Sequence, residues 1–235
     1  MPETLPPAGT SALRRGVLSG VVAVGAAALM FALGTLHPPR PLGVGTDRLG
    51  PERGEAVSDY LARARVSLDG TDAQEHWALV SFTTELPPAA IPAHSGGIRI
   101  GQVLHRVPIP RVQTPIVTVG VPAGDAVAVA SADNAAWQLQ AQLDRDVTLG
   151  VLGDRGLRAT SVSIARLRAG CACTVGLVVR GTLTELRNLA TGNDIRAVEA
   201  LPADAVDGHF AVTPLLPAHT GTVGPAPDDG PVPER

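Results

Sequence analysis

The sequence predicts an α/β (α+β) two-layer sandwich, a mixed sheet with helices packed on it, preceded by one transmembrane helix. Three observations carry that reading. Residues 16–36 (GVLSGVVAVGAAALMFALGTL) contain no charge, amide or imidazole. Further along, short β-branched or apolar runs alternate with stretches whose apolar residues recur at helical spacing. Finally, two segments about a hundred residues apart repeat one layout of helix, strand, short helix and strand.

The apolar run comes first. At about 1.5 Å per helical residue, its 21 residues reach roughly 30 Å, the thickness of a bilayer core. Arg14 and Arg15 precede it directly, which places residues 1–15 in the cytoplasm and the rest of the chain outside. The expected location is therefore the cell membrane, single-pass, with an extracytoplasmic main domain. A cleaved signal peptide is the alternative, with Ala32-Leu33-Gly34 as its best cleavage site. That site lies inside the run, and the run is longer than the apolar region of about 7–15 residues such peptides carry.

Residues 37–51 are rich in proline and glycine and read as a linker that lifts the domain off the membrane. The domain itself is expected over residues 52–215. Residues 216–235 share the linker's composition and are expected to form a disordered tail.

Within the domain, Val57, Tyr60, Leu61, Ala64 and Leu68 mark a helix, with Asp59 and Arg63 paired on its outer face. Residues 76–82 suit a buried strand. Residues 85–94 read as a helix whose first turn tolerates Pro87 and Pro88. Residues 98–107 and 116–121 are strands, and the three prolines between them predict an unpaired or edge segment. Ser131 is placed as the N-cap of a helix reaching Leu143. A helix over 155–168, a strand over 174–180 and a closing strand over 195–201 complete the pattern. Thr182-x-x-Glu185 is a capping box that opens a helix through Ala190.

The repeat aligns Arg53-Gly54, Leu79-Val80, Thr84-Glu85-Leu86 and Ile98-Arg99 with Arg155-Gly156, Leu177-Val178, Thr184-Glu185-Leu186 and Ile195-Arg196. Two βαβ-like halves of an internal duplication are expected from it, each with its two strands parallel.

All 19 basic residues are arginine and none is lysine. Past residue 36 the acids outnumber the arginines, and no basic block stands out, which excludes nucleic acid as the expected partner. Aromatic residues make up 3% of the chain, too few for a carbohydrate-stacking platform. The lack of lysine, the Arg14-Arg15 pair before a single span and the proline-rich ends resemble the single-pass cell-envelope membrane proteins of actinobacteria. The resemblance concerns organisation and carries no catalytic or binding residue with it.

Cys171-Ala172-Cys173 is the sharpest local signal. Outside the cytoplasm two cysteines usually form one disulfide. Residues i and i+2 of an extended strand lie about 6.6 Å apart, near the limit for a bridge, so pairing requires a bent backbone. The pair reads as structural, as redox-active or, with thiolates alone, as a Cu(I) site. No histidine stands at ligand spacing from it, so no metal and no cofactor is expected.

His94-Ser95-Gly96-Gly97 offers an anion nest or a Ser-His fragment. Its counterpart Thr191-Gly192-Asn193 favours a plain helix C-cap. Asp144/Asp146 and Asp204/Asp207 lack the ligand pattern of a calcium loop. No nucleophile elbow, phosphate loop, His-Glu-x-x-His or dinucleotide fingerprint is present, so no catalytic residue is assigned. The expected function is a non-enzymatic, membrane-anchored binding or scaffold protein that docks other envelope proteins, with homodimerisation as an option. A thiol-disulfide or copper-handling protein using Cys171 and Cys173 is one alternative, and a lipid or small-molecule carrier the other.

Overall fold

The computed structural model describes residues 47–122 and 124–234. The expected cytoplasmic tail, the span at 16–36 and most of the linker lie outside them. Among the described residues, no helix is long and apolar enough to cross a membrane.

The chain runs β1 (Arg48–Leu49), α1 (Val57–Val66), β2 (Glu75–Leu86), two 3-10 turns (Pro88–Ala90 and Pro92–His94), β3 (Arg99–Arg106) and β4 (Ile116–Gly120). It continues through α2 (Asp125–Val129), α3 (Ser131–Leu149), α4 (Asp154–Arg168), β5 (Thr174–Thr182), α5 (Leu183–Ala190), β6 (Ile195–Ala200) and β7 (Ala211–Val212). Five strands form one sheet in the order β4-β3-β5-β2-β6, and every neighbouring pair is antiparallel. β1 and β7 form a separate parallel pair.

The α/β character holds, but the mixed sheet does not. β2 and β3 do run the same way, because both are antiparallel to β5, which lies between them. β5 and β6 likewise straddle β2. The second half is thus a split β-α-β unit, and the first is its counterpart with 3-10 turns in the crossover; each has a strand of the other half inserted, the ferredoxin-like strand order. β2 and β5 hold matching central places, as the repeat anticipates. The aligned words, however, are one residue out of step. Leu79 packs with Trp77, Leu104 and Val178 on one face, whereas Leu177 packs with Val80 and Val179 on the other.

Both faces of the sheet are covered, so the two-layer expectation also fails. Phe82, Val103, Leu177, Val179 and Val198 meet Leu183, Leu186 and Leu189 of α5 and Ile91 of the 3-10 turns. On the same side, α3 packs on β4 through Ala132, Ala136 and Leu139, and α4 closes over α3. The opposite face is covered by Leu49 of β1, Leu201, Leu216 and, beside them, α1 with Leu215 and Val223. Burial on both faces explains why β2 reads as an unbroken apolar run. β4, at the edge, alternates strictly.

Four local expectations are corrected. The helix at 85–94 is replaced by the end of β2 and the two 3-10 turns, since Pro92 supplies no N–H to continue an α-helix. Ser131 is not the N-cap: α2 leads straight into α3, Ala130 takes that place, and the Ser131 side chain is buried. Residues 216–234 form a strap along the domain. Val57 N–H donates to Gly221 O, Val223 N–H to Glu55 O and Gly230 N–H to Arg111 O. The ordered chain also begins before residue 52, because Leu49 is fully buried and β1 pairs with β7.

Candidate functional site

Cys171 and Cys173 are joined by a disulfide, with Cα atoms 5.3 Å apart. The bend it needs is supplied by the end of α4. Gly170 takes φ 71°, its N–H donates to Leu167 O, and Cys171 N–H donates to Arg166 O. This is a Schellman turn, which reverses the chain just before β5. Cys173 is buried against Leu167 and Val107, while Cys171 is half-buried. Among the described residues no group of three or more His, Cys, Asp or Glu side chains is placed to hold a metal.

Two histidine clusters invite a catalytic reading, and the geometry opposes both. His105, fully enclosed, donates from Nε2 to Ser131 Oγ at 2.8 Å and faces Thr174 Oγ1 at 3.3 Å through Nδ1. Ser131 gives its own proton to Ala128 O at 2.5 Å, so the hydroxyl is an acceptor toward the imidazole rather than a nucleophile activated by it. Burial pushes the His105 pKa down to about 4. His94 donates from Nδ1 to Ala90 O and lies 3.6 Å from Asp194. Neighbouring Ser95 is buried and donates to Pro92 O. The sequence's two paired motifs do meet here, around a polar hollow with Glu185 and Asn193. Gly96 and Gly97 adopt positive φ as expected of a cap; in the second half Asp194, not Gly192, takes the left-handed conformation.

A charged cluster joins α1 to β6. Glu199 is buried and accepts from Gly50 N–H at 2.5 Å and from Arg63, which also pairs with Glu55 at 3.1 Å. Gly50 has φ 102°, and a Cβ there would collide with Thr213 O, so this loop admits only glycine. Burial raises the Glu199 carboxyl pKa against the opposing pull of Gly50 N–H and Arg63. The enclosed Tyr60 hydroxyl beside it is pushed far up, by burial first and by the Glu199 charge second. The cluster is closed and serves to lock α1 onto the sheet.

The remaining arrangement is open. A cavity of about 470 Å³ lies between the β3–β4 edge, the β1–β7 pair and the strap. Arg48, Arg53, Arg106 and His219 line it, together with Pro51, Ile116, Leu216, Val223 and Pro225. Among the described residues no carboxylate lines it. Arg106, at the end of β3, is 8% exposed, and among the described residues its guanidinium has neither a hydrogen-bond nor an ion-pair partner. Burial lowers its pKa; the field of the half-buried Glu85 acts the other way. His219 is likewise shifted down, by burial first and then by Arg106 and Arg196. Arg196 holds the strap by donating to Leu216 O, Pro217 O and His219 O.

No protein-family model matches the chain, and no curated protein or solved structure does either. The sequence singled out the cysteines but missed the arginines. Arg106 reads there as one residue of a strand, and its burial depends on a strap whose composition suggested disorder.

Proposed function

We propose that the chain is a non-enzymatic ligand-binding protein of the cell envelope, anchored by residues 16–36 with its folded domain outside the membrane. One observation carries the reading: a cavity onto which the largely buried Arg106 opens its guanidinium, with no partner for it among the described residues. Burying an unpaired charge costs several kcal/mol unless something answers it. The histidine clusters support the same reading, because neither presents an activated nucleophile or an accessible acid–base pair. The carrier alternative thereby moves ahead of the pure scaffold. Docking of another envelope protein keeps one specific support, Trp137, which is 76% exposed on the outer side of α3.

Native mass spectrometry of the full chain, extracted in a mild neutral detergent, tests the proposal. A small molecule retained on the chain and lost on denaturation is the expected result. Recovery of the bare chain, with partner proteins bound through the Trp137 side instead, would return the scaffold reading to first place. Replacing both cysteines by alanine should leave ligand retention intact. Loss of retention in a variant that still folds would favour the thiol or copper protein.

A further inference from the structure

Resting on that reading, we propose that the cavity between the strap and the β3–β4 edge is a phosphate site whose ligand is a phosphate monoester with a small apolar substituent. The argument starts from charge. Among the described residues, three guanidiniums and no carboxylate line this cavity, and the most buried of the three, Arg106, has no partner. Other arginines facing this side of the sheet have partners: the exposed Arg63 has Glu199 and Glu55, the half-buried Arg180 has Glu75 and the Trp77 ring, and the half-buried Arg196 has three carbonyls. The vacancy at Arg106 therefore belongs to the cavity and is not the habit of this face.

Guanidinium presents a planar fork of donors that matches oxyanions, and phosphate is the oxyanion whose charge and three terminal oxygens suit more than one such fork. Arg48 and Arg53 sit at the exposed rim, where they add long-range attraction, while Arg106 forms the floor. His219 sits among positive neighbours and is held toward its neutral form, so it adds a hydrogen-bonding group without adding repulsion. The volume decides the rest of the ligand. A cavity of about 470 Å³ exceeds what a bare phosphate fills, and the surplus is walled by Pro51, Ile116, Leu216, Val223 and Pro225. An apolar substituent on the ester fits that wall.

Isothermal titration calorimetry on the full chain in neutral maltoside detergent tests this with four probes: hexyl phosphate, inorganic phosphate, hexanoate and hexanol. Hexyl phosphate should bind most tightly, with an affinity that falls as salt rises. Hexanol binding as well as hexyl phosphate would overturn the phosphate assignment while leaving a binding cavity in place. Hexanoate matching hexyl phosphate would overturn it in favour of a carboxylate ligand. Inorganic phosphate matching hexyl phosphate would overturn the ester and point to the free ion. No binding by any probe would sink the phosphate site, and ligand retention in the mass spectrum would then show whether the broader reading survives it.

Arg106→Met should weaken hexyl phosphate at least about tenfold. The double variant Arg48→Ala/Arg53→Ala, at exposed positions where folding is safe, should weaken it several-fold and flatten the salt dependence. Arg145→Ala, exposed on α3 away from the cavity, should change nothing. Unaltered affinity in both cavity variants would overturn the proposal.

Discussion

Arg63 and Arg106 both reach the sheet face that the strap covers, and their surroundings are opposite. Arg63 comes from a helix, keeps 44% of its side chain exposed, and meets two carboxylates. Arg106 comes from a strand, is buried, and meets none among the described residues. The more expensive charge is the one left unpaired. A pair such as Arg63 and Glu199 is self-sufficient and fixes a helix to a strand, whereas Arg106 costs stability that the proposed anion would return on binding.

The largest effect should come from breaking the closed cluster. Arg63→Met leaves Glu199 buried with Gly50 N–H as its remaining strong partner, and should cost about 3–4 kcal/mol in urea unfolding. The loss should deepen as pH rises. Glu199 already has a raised pKa in the folded state, removal of Arg63 raises it further, and a raised carboxyl loses stability as pH climbs through its folded pKa. A loss below about 1 kcal/mol would erase the contrast with Arg106.

His105 extends the comparison to a group enclosed without charge. Its unfolded form takes a proton near pH 6.5, while the folded form resists until about 4. Stability should therefore fall by about 3 kcal/mol as pH drops across that window. His105→Gln should flatten the slope there. An unchanged slope in the variant would mean that other groups govern the acid limb.

Arg106→Met, measured without ligand, should hold stability or raise it by about 1 kcal/mol, because the variant removes an uncompensated charge and keeps the volume. A clear loss would reveal a hidden structural partner. The smallest effect belongs to the strap's surface pairs. Asp229→Asn removes an exposed contact with Arg111 and should change stability by less than about 1 kcal/mol, an effect that vanishes in high salt. Crystallographic or exchange evidence of a released strap in that variant would mean that one surface pair holds the cavity wall.

What the sequence made legible was whatever is local. The Thr182–Glu185 capping box forms as read, with Thr182 N–H bonded to Glu185 at 2.8 Å. β5 and β4 follow from their β-branched runs and from alternation. Sheet order was not legible, because the insertion of β5 between β2 and β3 is a property of the assembled layers and leaves no mark on spacing. β1, β7 and the strap were hidden for another reason. Proline- and glycine-rich chain carries no periodic signal, yet individual bonds such as Val223 N–H to Glu55 O can still fix it. The cavity inherits that blindness, since its walls are drawn from both ends of the domain. At the cysteines, by contrast, local geometry sufficed to demand a bend, and Gly170 supplies it.

The parallel β1–β7 pair has a consequence for the order of assembly. Arg48 pairs with Ala211, so this contact closes a loop that spans nearly the whole domain. Contacts so distant in sequence form slowly, after the entropy of closure has been met. The strap follows β7 in the chain and can dock only later. During synthesis the central strands thus have time to pair while the cavity does not yet exist. Ligand binding would then report on the last step of folding, and a chain arrested before the strap docks would be compact, ordered through β2 and β5, and unable to bind.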